Sequence, residues 1–324
     1  MATHNTRPHL PPISKDVLAT IGNTPLVQLR YLASRDHGRV VVKMEGANPT
    51  GSMKDRMAQA AIDAAEHDGR LRPGGSVVEY TGGSTGVALA LVCAAKGYRC
   101  RLVSSDAFSR EKLDHMKALG ADLTIIPSEQ GRMTKDLFKS MIAKAAECAK
   151  QHGAFWADQL NNKDMQHGYH AMGEELWMQA ERIDVFVHSV GTAHSLAGVS
   201  EILRKHHGGV RIVAVEPAES PILSEGRTGS HRIEGIGVGF VPPLWNPKMA
   251  DEILSVSSED AYAMARRLAR EEGIFAGAST GANVHAALRI ANTLPPEATV
   301  ATLAVDTGLK YLSTELYGSP EAKE

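Results

Sequence analysis

An ammonium group is poorly placed at the start of a helix, and Lys54 stands at one. The segment Asn48-Pro49-Thr50-Gly51-Ser52-Met53-Lys54-Asp55-Arg56 follows the apolar run Val40-Val41-Val42 and precedes Ala58, Ala61, Ile62 and Ala65 at helical spacing. This pattern predicts a strand, a turn and a helix start. Ser52 with Asp55 three residues on reads as a capping pair, which sets Lys54 in the first turn at the positive end of the helix dipole. A lysine with a depressed pKa, or one converted to an imine, suits that position, and both prepare an amine for carbonyl chemistry. The same segment also reads as an exposed lysine beside Asp55.

Three more glycine-rich turns carry hydroxyls. Ser76-Val77-Val78-Glu79-Tyr80 runs into Thr81-Gly82-Gly83-Ser84-Thr85-Gly86 and then a helix from Val87 to Ala95. Val185-Phe186-Val187 leads to Gly191-Thr192-Ala193-His194-Ser195, followed by Leu196, Val199, Ile202 and Leu203 at helical spacing. Gly277-Ala278-Ser279-Thr280-Gly281 opens a helix through Ala287 and Ile290. Backbone N–H groups at such helix starts form anion sites, and glycine lets a ligand come close to the backbone. One phosphate and one carboxylate can be held at once. Each loop alone is ordinary turn chemistry, whereas one lysine and three such loops in this order are specific.

In these residues the chain resembles the pyridoxal-phosphate enzymes of the cysteine synthase and cystathionine β-synthase family. The resemblance runs from Ile21-Gly22-Asn23-Thr24-Pro25-Leu26 to Asp306-Thr307-Gly308-Leu309-Lys310-Tyr311-Leu312-Ser313-Thr314, and its strongest piece is Asn48 to Arg56. Gln159 in Ala157-Asp158-Gln159-Leu160, the stretch Glu234 to Pro242, and Glu272-Gly273-Ile274 are similar too. The resemblance implies pyridoxal 5'-phosphate as cofactor, with Lys54 as its Schiff-base lysine and the base that removes the substrate α-proton. It implies that Gly191, Thr192 and Ser195 cradle the phosphate, in a loop that also contains Ala193 and His194. Ser279 then faces the pyridine nitrogen, where a hydroxyl in place of a carboxylate leaves the ring near neutral and favours β-elimination over transamination. Thr81, Thr85 and Gln159 match positions that grip the substrate carboxylate, with Gly235 and Ile236 as the lip that closes on it.

Two loops depart from the family pattern. Ser84 stands where the family has an asparagine facing the cofactor's phenolic oxygen, and Gly82 stands where it has a serine. A serine hydroxyl is shorter than the amide and reaches that oxygen only through a water or a closer backbone, while Gly82 removes one donor to the substrate. Ala193 and His194 replace glycines of the phosphate loop. His194 reads as a side chain pointing outwards from the helix start; the other reading adds positive potential at the phosphate.

The elements that must position these groups alternate throughout. Apolar runs at Arg101-Leu102-Val103, Leu123-Thr124-Ile125-Ile126, Val210 to Val215 and Val300 to Val305 predict strands. Helices are expected at about 111–119, 134–152, 166–181 and 259–272, with Gly120, Gly153 and Gly273 just past three of the ends. This predicts an α/β chain with mostly parallel sheets covered on both faces. The resemblance implies the tryptophan synthase β-like architecture, fold type II of this cofactor. Residues 48–162 would form a smaller domain carrying the substrate loop; 1–47 with 163–324 would form a larger one carrying the phosphate loop, with the cofactor between them.

The 324 residues suffice for two domains, and a hydrophobic fraction of 43% supports full cores. A net charge of −2, no basic tract and 5% aromatics argue against a nucleic-acid partner. No apolar stretch is long enough to span a bilayer, and Met1 to Pro12 lacks the apolar core of a signal peptide, so a cytoplasmic protein without a membrane partner is expected. Cys93, Cys100 and Cys148 read as reduced thiols with no zinc pattern. His167 and His170 read as helix surface in preference to metal ligands. His206-His207 read as a helix C-terminus, and Trp156, Trp177 and Trp245 as packing residues. Asp106 and Arg110 read either as a cleft lining or as a solvated loop. Gly235 to Gly239 lacks the spacing of a dinucleotide turn.

The activity so implied is β-replacement on an activated serine derivative such as O-acetylserine, with sulfide or a small thiol, by a homodimer. A β-eliminating lyase, such as a cysteine desulfhydrase or a serine or threonine dehydratase, shares every step but the last. A non-catalytic cofactor-binding regulator is the third reading, and retention of Lys54, Thr81, Thr85, Gln159 and Ser279 argues against it.

Overall fold

A computed structural model describes residues 13–131 and 133–318. The first twelve residues, read above for a signal peptide, lie outside them. Along the chain the regular elements are β1 (Leu26–Gln28), β2 (Arg39–Met44), α1 (Lys54–His67), β3 (Ser76–Tyr80), α2 (Ser84–Lys96), β4 (Arg99–Ser105) and α3 (Arg110–Ala118). Then come β5 (Asp122–Ile126), α4 (Lys135–His152), β6 (Phe155–Trp156), α5 (Asp164–His167), α6 (His170–Ala180), β7 (Val185–Ser189) and α7 (His194–His206). The last are β8 (Arg211–Pro217), β9 (Glu252–Val256), α8 (Ser258–Arg267), α9 (Ala278–Ala291) and β10 (Thr299–Ala304).

The strands form two sheets, ordered β1-β2-β10-β7-β8-β9 and β5-β4-β3-β6. All pairings are parallel except the edge pair β1 with β2. In the smaller sheet the chain moves from β3 through β4 to β5 and then returns to the other side of β3 as β6. In the larger it moves from β7 to β8 and β9 and returns to the other side of β7 as β10. Each order therefore reverses at one strand, and ligands of open parallel sheets bind at the C-terminal ends of such strands. The loops that leave β3 and β7 are the two hydroxyl-rich turns at Thr81 and Gly191.

Two expected helices differ in detail. The helix expected over 166–181 is divided into α5 and α6 around Gly168 and Tyr169. Here α1 comes so close that a Cβ on Gly168 would lie 2.5 Å from the carbonyl oxygen of Arg56. The helix expected over 259–272 ends in a wider π turn, Leu268–Glu272, before Gly273 at φ +70°. The Glu272 carboxylate then accepts from the backbone N–H groups of Arg30, Tyr31 and Leu32. Trp177 stacks at 5.1 Å on His206, which ends α7 as expected, so the tryptophan is a packing residue.

Under α1 lies a buried ionic cluster of Lys43, Glu45, Arg56 and Glu175. Arg56 donates to Glu45 at 2.8 Å and to Glu175 at 2.7 Å, and Lys43 Nζ lies 2.6 Å from Glu175. Although burial alone would raise it, the Glu175 carboxyl is held at about 2, chiefly by hydrogen bonds and charge from Arg56 and then by Lys43. Stability from Glu175 is therefore complete above its ordinary 4.5 and is lost as pH falls towards 2. Removing one member of a buried ion pair costs about 3–5 kcal/mol. Glu175→Gln should lose roughly that much in urea denaturation at pH 7. The difference from wild type should shrink below pH 4; a constant difference down to pH 2 would contradict this linkage.

Candidate active site

Between the two sheets lies a cavity of about 450 Å³. Its lining includes Lys54, Thr81, Gly82, Ser84, Thr85, Gln159, Gly191, Thr192, Ser195, Gly235, Ile236 and Ser279. Of the cofactor and substrate residues expected from sequence, Ala193 and His194 are not part of it.

Lys54 is seated by the end of β10. Met53 N–H donates to the Val305 carbonyl at 2.9 Å, and Thr307 N–H donates to the Gly51 carbonyl at 2.9 Å. This pairing sets Lys54, the first residue of α1, beside Asp306. The expected capping pair does not form. Ser52 Oγ accepts from Lys54 N–H at 3.2 Å, while Asp55 turns back to take the Thr50 N–H at 2.8 Å and the Thr50 hydroxyl. Burial brings the Lys54 amine down to about 8, against the opposing charge of Asp306. That is the direction expected for an amine nucleophile and base.

α2, α7 and α9 all begin at the cavity, so three helix N-termini face it together with that of α1. Thr81 Oγ1 accepts from Gly83 N–H at 2.9 Å and from Gly86 N–H at 3.0 Å, which shapes the first turn of α2 and leaves the hydroxyl hydrogen to donate. Thr85 donates to Gln159 Oε1 at 2.9 Å, and Gln159 Nε2 donates to the Tyr80 carbonyl at 2.7 Å. Ser279 is buried in the first turn of α9. Gly191 is held close to the lip: a Cβ there would meet the Gly235 carbonyl oxygen at 2.6 Å.

The two departures acquire definite surroundings. Ser84 Oγ donates to Asp306 Oδ2 at 3.2 Å, and Lys310 Nζ approaches the same hydroxyl at 3.5 Å. Gly82 packs against Phe108, whose ring carbons lie 2.9 to 3.4 Å from where a Cβ would stand. His194 does not point outwards. It is buried, with Nε2 3.0 Å from the Gln159 carbonyl, and burial lowers it to about 4. It is neutral at pH 7 and adds no positive potential; instead it props the Gln159 segment from α7. Ala193 takes a left-handed conformation at φ +74°, which costs a non-glycine residue roughly 1–2 kcal/mol.

Several contributors escaped the sequence reading. Asp306 and Tyr311 lay inside a quoted segment without a role; the Tyr311 hydroxyl donates to Asp306 Oδ2 at 2.8 Å. Lys112 of α3 reaches across to Glu234 at 2.5 Å and stands 4.1 Å over the Tyr311 ring, tying the lip to the other side of the cleft. Phe108, Met133 and Phe138 form an apolar wall for which the sequence carries no periodic signal. Asp106 and Arg110 flank Phe108 but are exposed and outside the cavity, in keeping with the solvated-loop reading.

The lining fits a phosphate ester and an aromatic aldehyde: hydroxyl donors and helix starts on one side, and at the floor a buried lysine whose amine is brought down to about 8. The fold and this site define a pyridoxal-phosphate enzyme. Residues 17–306 match the family described as "Pyridoxal-phosphate dependent enzyme", and the chain belongs to it. Among its relatives is a cysteine synthase of Staphylococcus aureus (strain N315), 41% identical over 93% of this chain and 96% of the relative. The crystal structure of an O-ureido-L-serine synthase superposes with a TM-score of 0.89 at 37% identity, covering 97% of this chain and 98% of that one. A cysteine synthase from Entamoeba histolytica gives 0.88 at 34%, covering 100% and 95%. Among the described residues no helix is long and apolar enough to cross a membrane.

Proposed function

We propose that this protein catalyses β-replacement on an activated serine derivative, O-acetylserine or a similar ester, with sulfide or a small thiol as the incoming group. The observation that carries this reading is the convergence of Lys54, lowered to about 8, with the Thr81–Thr85–Gln159 loop and the Ser195 loop on one cavity. Bound pyridoxal phosphate supplies an electron sink for negative charge at the substrate Cα. Gly191, Thr192 and Ser195 would hold its phosphate, and Ser279 would face its ring nitrogen. Thr81 and the N–H groups at the N-terminus of α2, that of Thr85 among them, bind the substrate carboxylate, while the Thr85 hydroxyl is given to Gln159 and braces the loop. The Lys54 amine takes the proton from Cα. The bond from Cβ to the ester oxygen breaks with its electron pair leaving on acetate, the sulfur nucleophile bonds to Cβ, and the Lys54 ammonium returns the proton to Cα. Gly235 and Ile236, fixed through Glu234 to Lys112, keep water from Cβ in the interval.

The division into 48–162 and the flanking segments, a homodimeric assembly and a cytoplasmic location complete the reading. The lyase alternative draws on Gly82, where the family's extra substrate donor is absent. A test of the ring assignment is Ser279→Asp. The variant should keep its cofactor but shift its visible spectrum towards protonated-ring species and lose β-elimination rate; an unchanged spectrum would place another group at the ring nitrogen.

A further inference from the structure

β7 delivers a histidine to the centre of the larger sheet. His188 is completely buried, with Nε2 2.8 Å from Ser195 Oγ and Nδ1 3.3 Å from Asn283 Nδ2. The Asn283 amide is oriented by the main chain: Oδ1 accepts from Ser189 N–H at 2.8 Å, and Nδ2 donates to the Leu303 carbonyl at 3.1 Å. Turning the amide over would set donor against donor and acceptor against acceptor. Its second Nδ2 hydrogen is therefore offered to His188 Nδ1, which accepts. Burial, reinforced by the charge of Lys54, lowers His188 to about 3, so the ring is neutral. Its one proton then resides on Nε2 and is donated to Ser195 Oγ. A hydroxyl oxygen that accepts from histidine keeps its own hydrogen to give, and Ser195 lines the cavity.

We propose that His188, oriented by Asn283, is a positioning residue that commits the Ser195 hydroxyl to donate into the cavity, to the phosphate ester of the cofactor. A phosphate dianion offers only acceptors, so a hydroxyl serves it only with the hydrogen turned outwards. Without His188 a serine in the first turn of a helix is free to turn back on a nearby carbonyl. This inference rests on the assignment of Ser195 to the phosphate made above.

The test is cofactor retention by the holoenzyme, measured by equilibrium dialysis against pyridoxal phosphate, with the ³¹P shift of the bound phosphate. A charge-assisted hydrogen bond is worth about 1.5–3 kcal/mol, so Ser195→Ala should weaken retention by about 10- to 100-fold. His188→Leu should weaken it comparably, and the double variant little further. Asn283→Asp should do the same by the opposite polarity: its carboxylate accepts from Nδ1–H, so the ring's one proton moves from Nε2 to Nδ1, and Nε2 then accepts the Ser195 hydrogen and draws it inwards. If His188→Leu and Ser195→Ala multiply in the double variant, His188 acts otherwise and the proposal falls. If Ser195→Ala leaves retention unchanged, the phosphate assignment falls as well. ¹⁵N-histidine NMR of the wild-type holoenzyme reads the tautomer without any variant: a proton on Nε2 of His188 is expected, and one on Nδ1 would overturn the proposal.

Discussion

Lys54→Ala should lower kcat/KM by at least about a thousandfold, because one amine both anchors the cofactor and moves the α-proton. The fold should survive, since the substitution removes an unfavourable charge from the start of α1. Borohydride reduction of the wild-type holoenzyme followed by peptide mapping should place the pyridoxyl group on Lys54. The informative competitor is Lys310, also buried and also lowered to about 8, 3.5 Å from Ser84. A label on Lys310 would contradict the assignment. The sign of the pH dependence follows from the same amine. Burial favours its neutral form, so reloading of stripped protein with cofactor should accelerate as pH rises and level off above about 8. An ordinary lysine would continue to gain up to about 10.5. A rate still climbing at pH 10 would show that Lys54 is not the desolvated group described here.

Restoring the family's substrate loop by Gly82→Ser with Ser84→Asn should not by itself help this protein. From sequence alone, that exchange is expected to raise the ratio of thiol-captured product to pyruvate, because each regained hydrogen bond is worth about 0.5–1.5 kcal/mol and stabilises the closed state. The structure adds Phe108: a Cβ at position 82 would stand 2.9 Å from its Cε1. Overpacking of this kind costs about 1–3 kcal/mol, enough to cancel the gain. The loop pair should therefore leave the ratio near the wild-type value when Phe108 is kept and raise it when Phe108→Ala opens the wall. Measured with O-acetylserine and sulfide, equal ratios in both backgrounds would show that Gly82 and Phe108 are not coupled.

The parallel sheets were legible because their strands are short apolar runs bounded by glycine-rich turns, and Val40 to Val42 or Val300 to Val305 admit few other readings. The loops at Thr81, Gly191 and Gly277 were legible for a different reason: each announces a helix start by its hydroxyls. Side-chain direction was not. His194 looks like a surface residue at a helix start, and only the packing of α7 against the Gln159 segment turns it inwards. Asp55 sits at capping distance from Ser52 in sequence, yet Thr50 offers it two donors in a tighter turn and wins. Lys112 and Phe108 lie on or just before a helix more than twenty residues from the loop they touch, and such long-range partners leave no local mark. His188 reads as one polar interruption of a buried strand, and its meaning depends on Asn283, 95 residues later.

Product identification from the holoenzyme given O-acetylserine, O-phosphoserine, serine, cysteine and homocysteine, each with and without sulfide, decides between β-replacement and elimination. O-acetylserine with sulfide should yield cysteine and acetate as the main products, with pyruvate minor, and Lys54→Ala should yield neither. Pyruvate as the main product in the presence of saturating sulfide, or turnover of the panel only in directions that release sulfide, would contradict β-replacement.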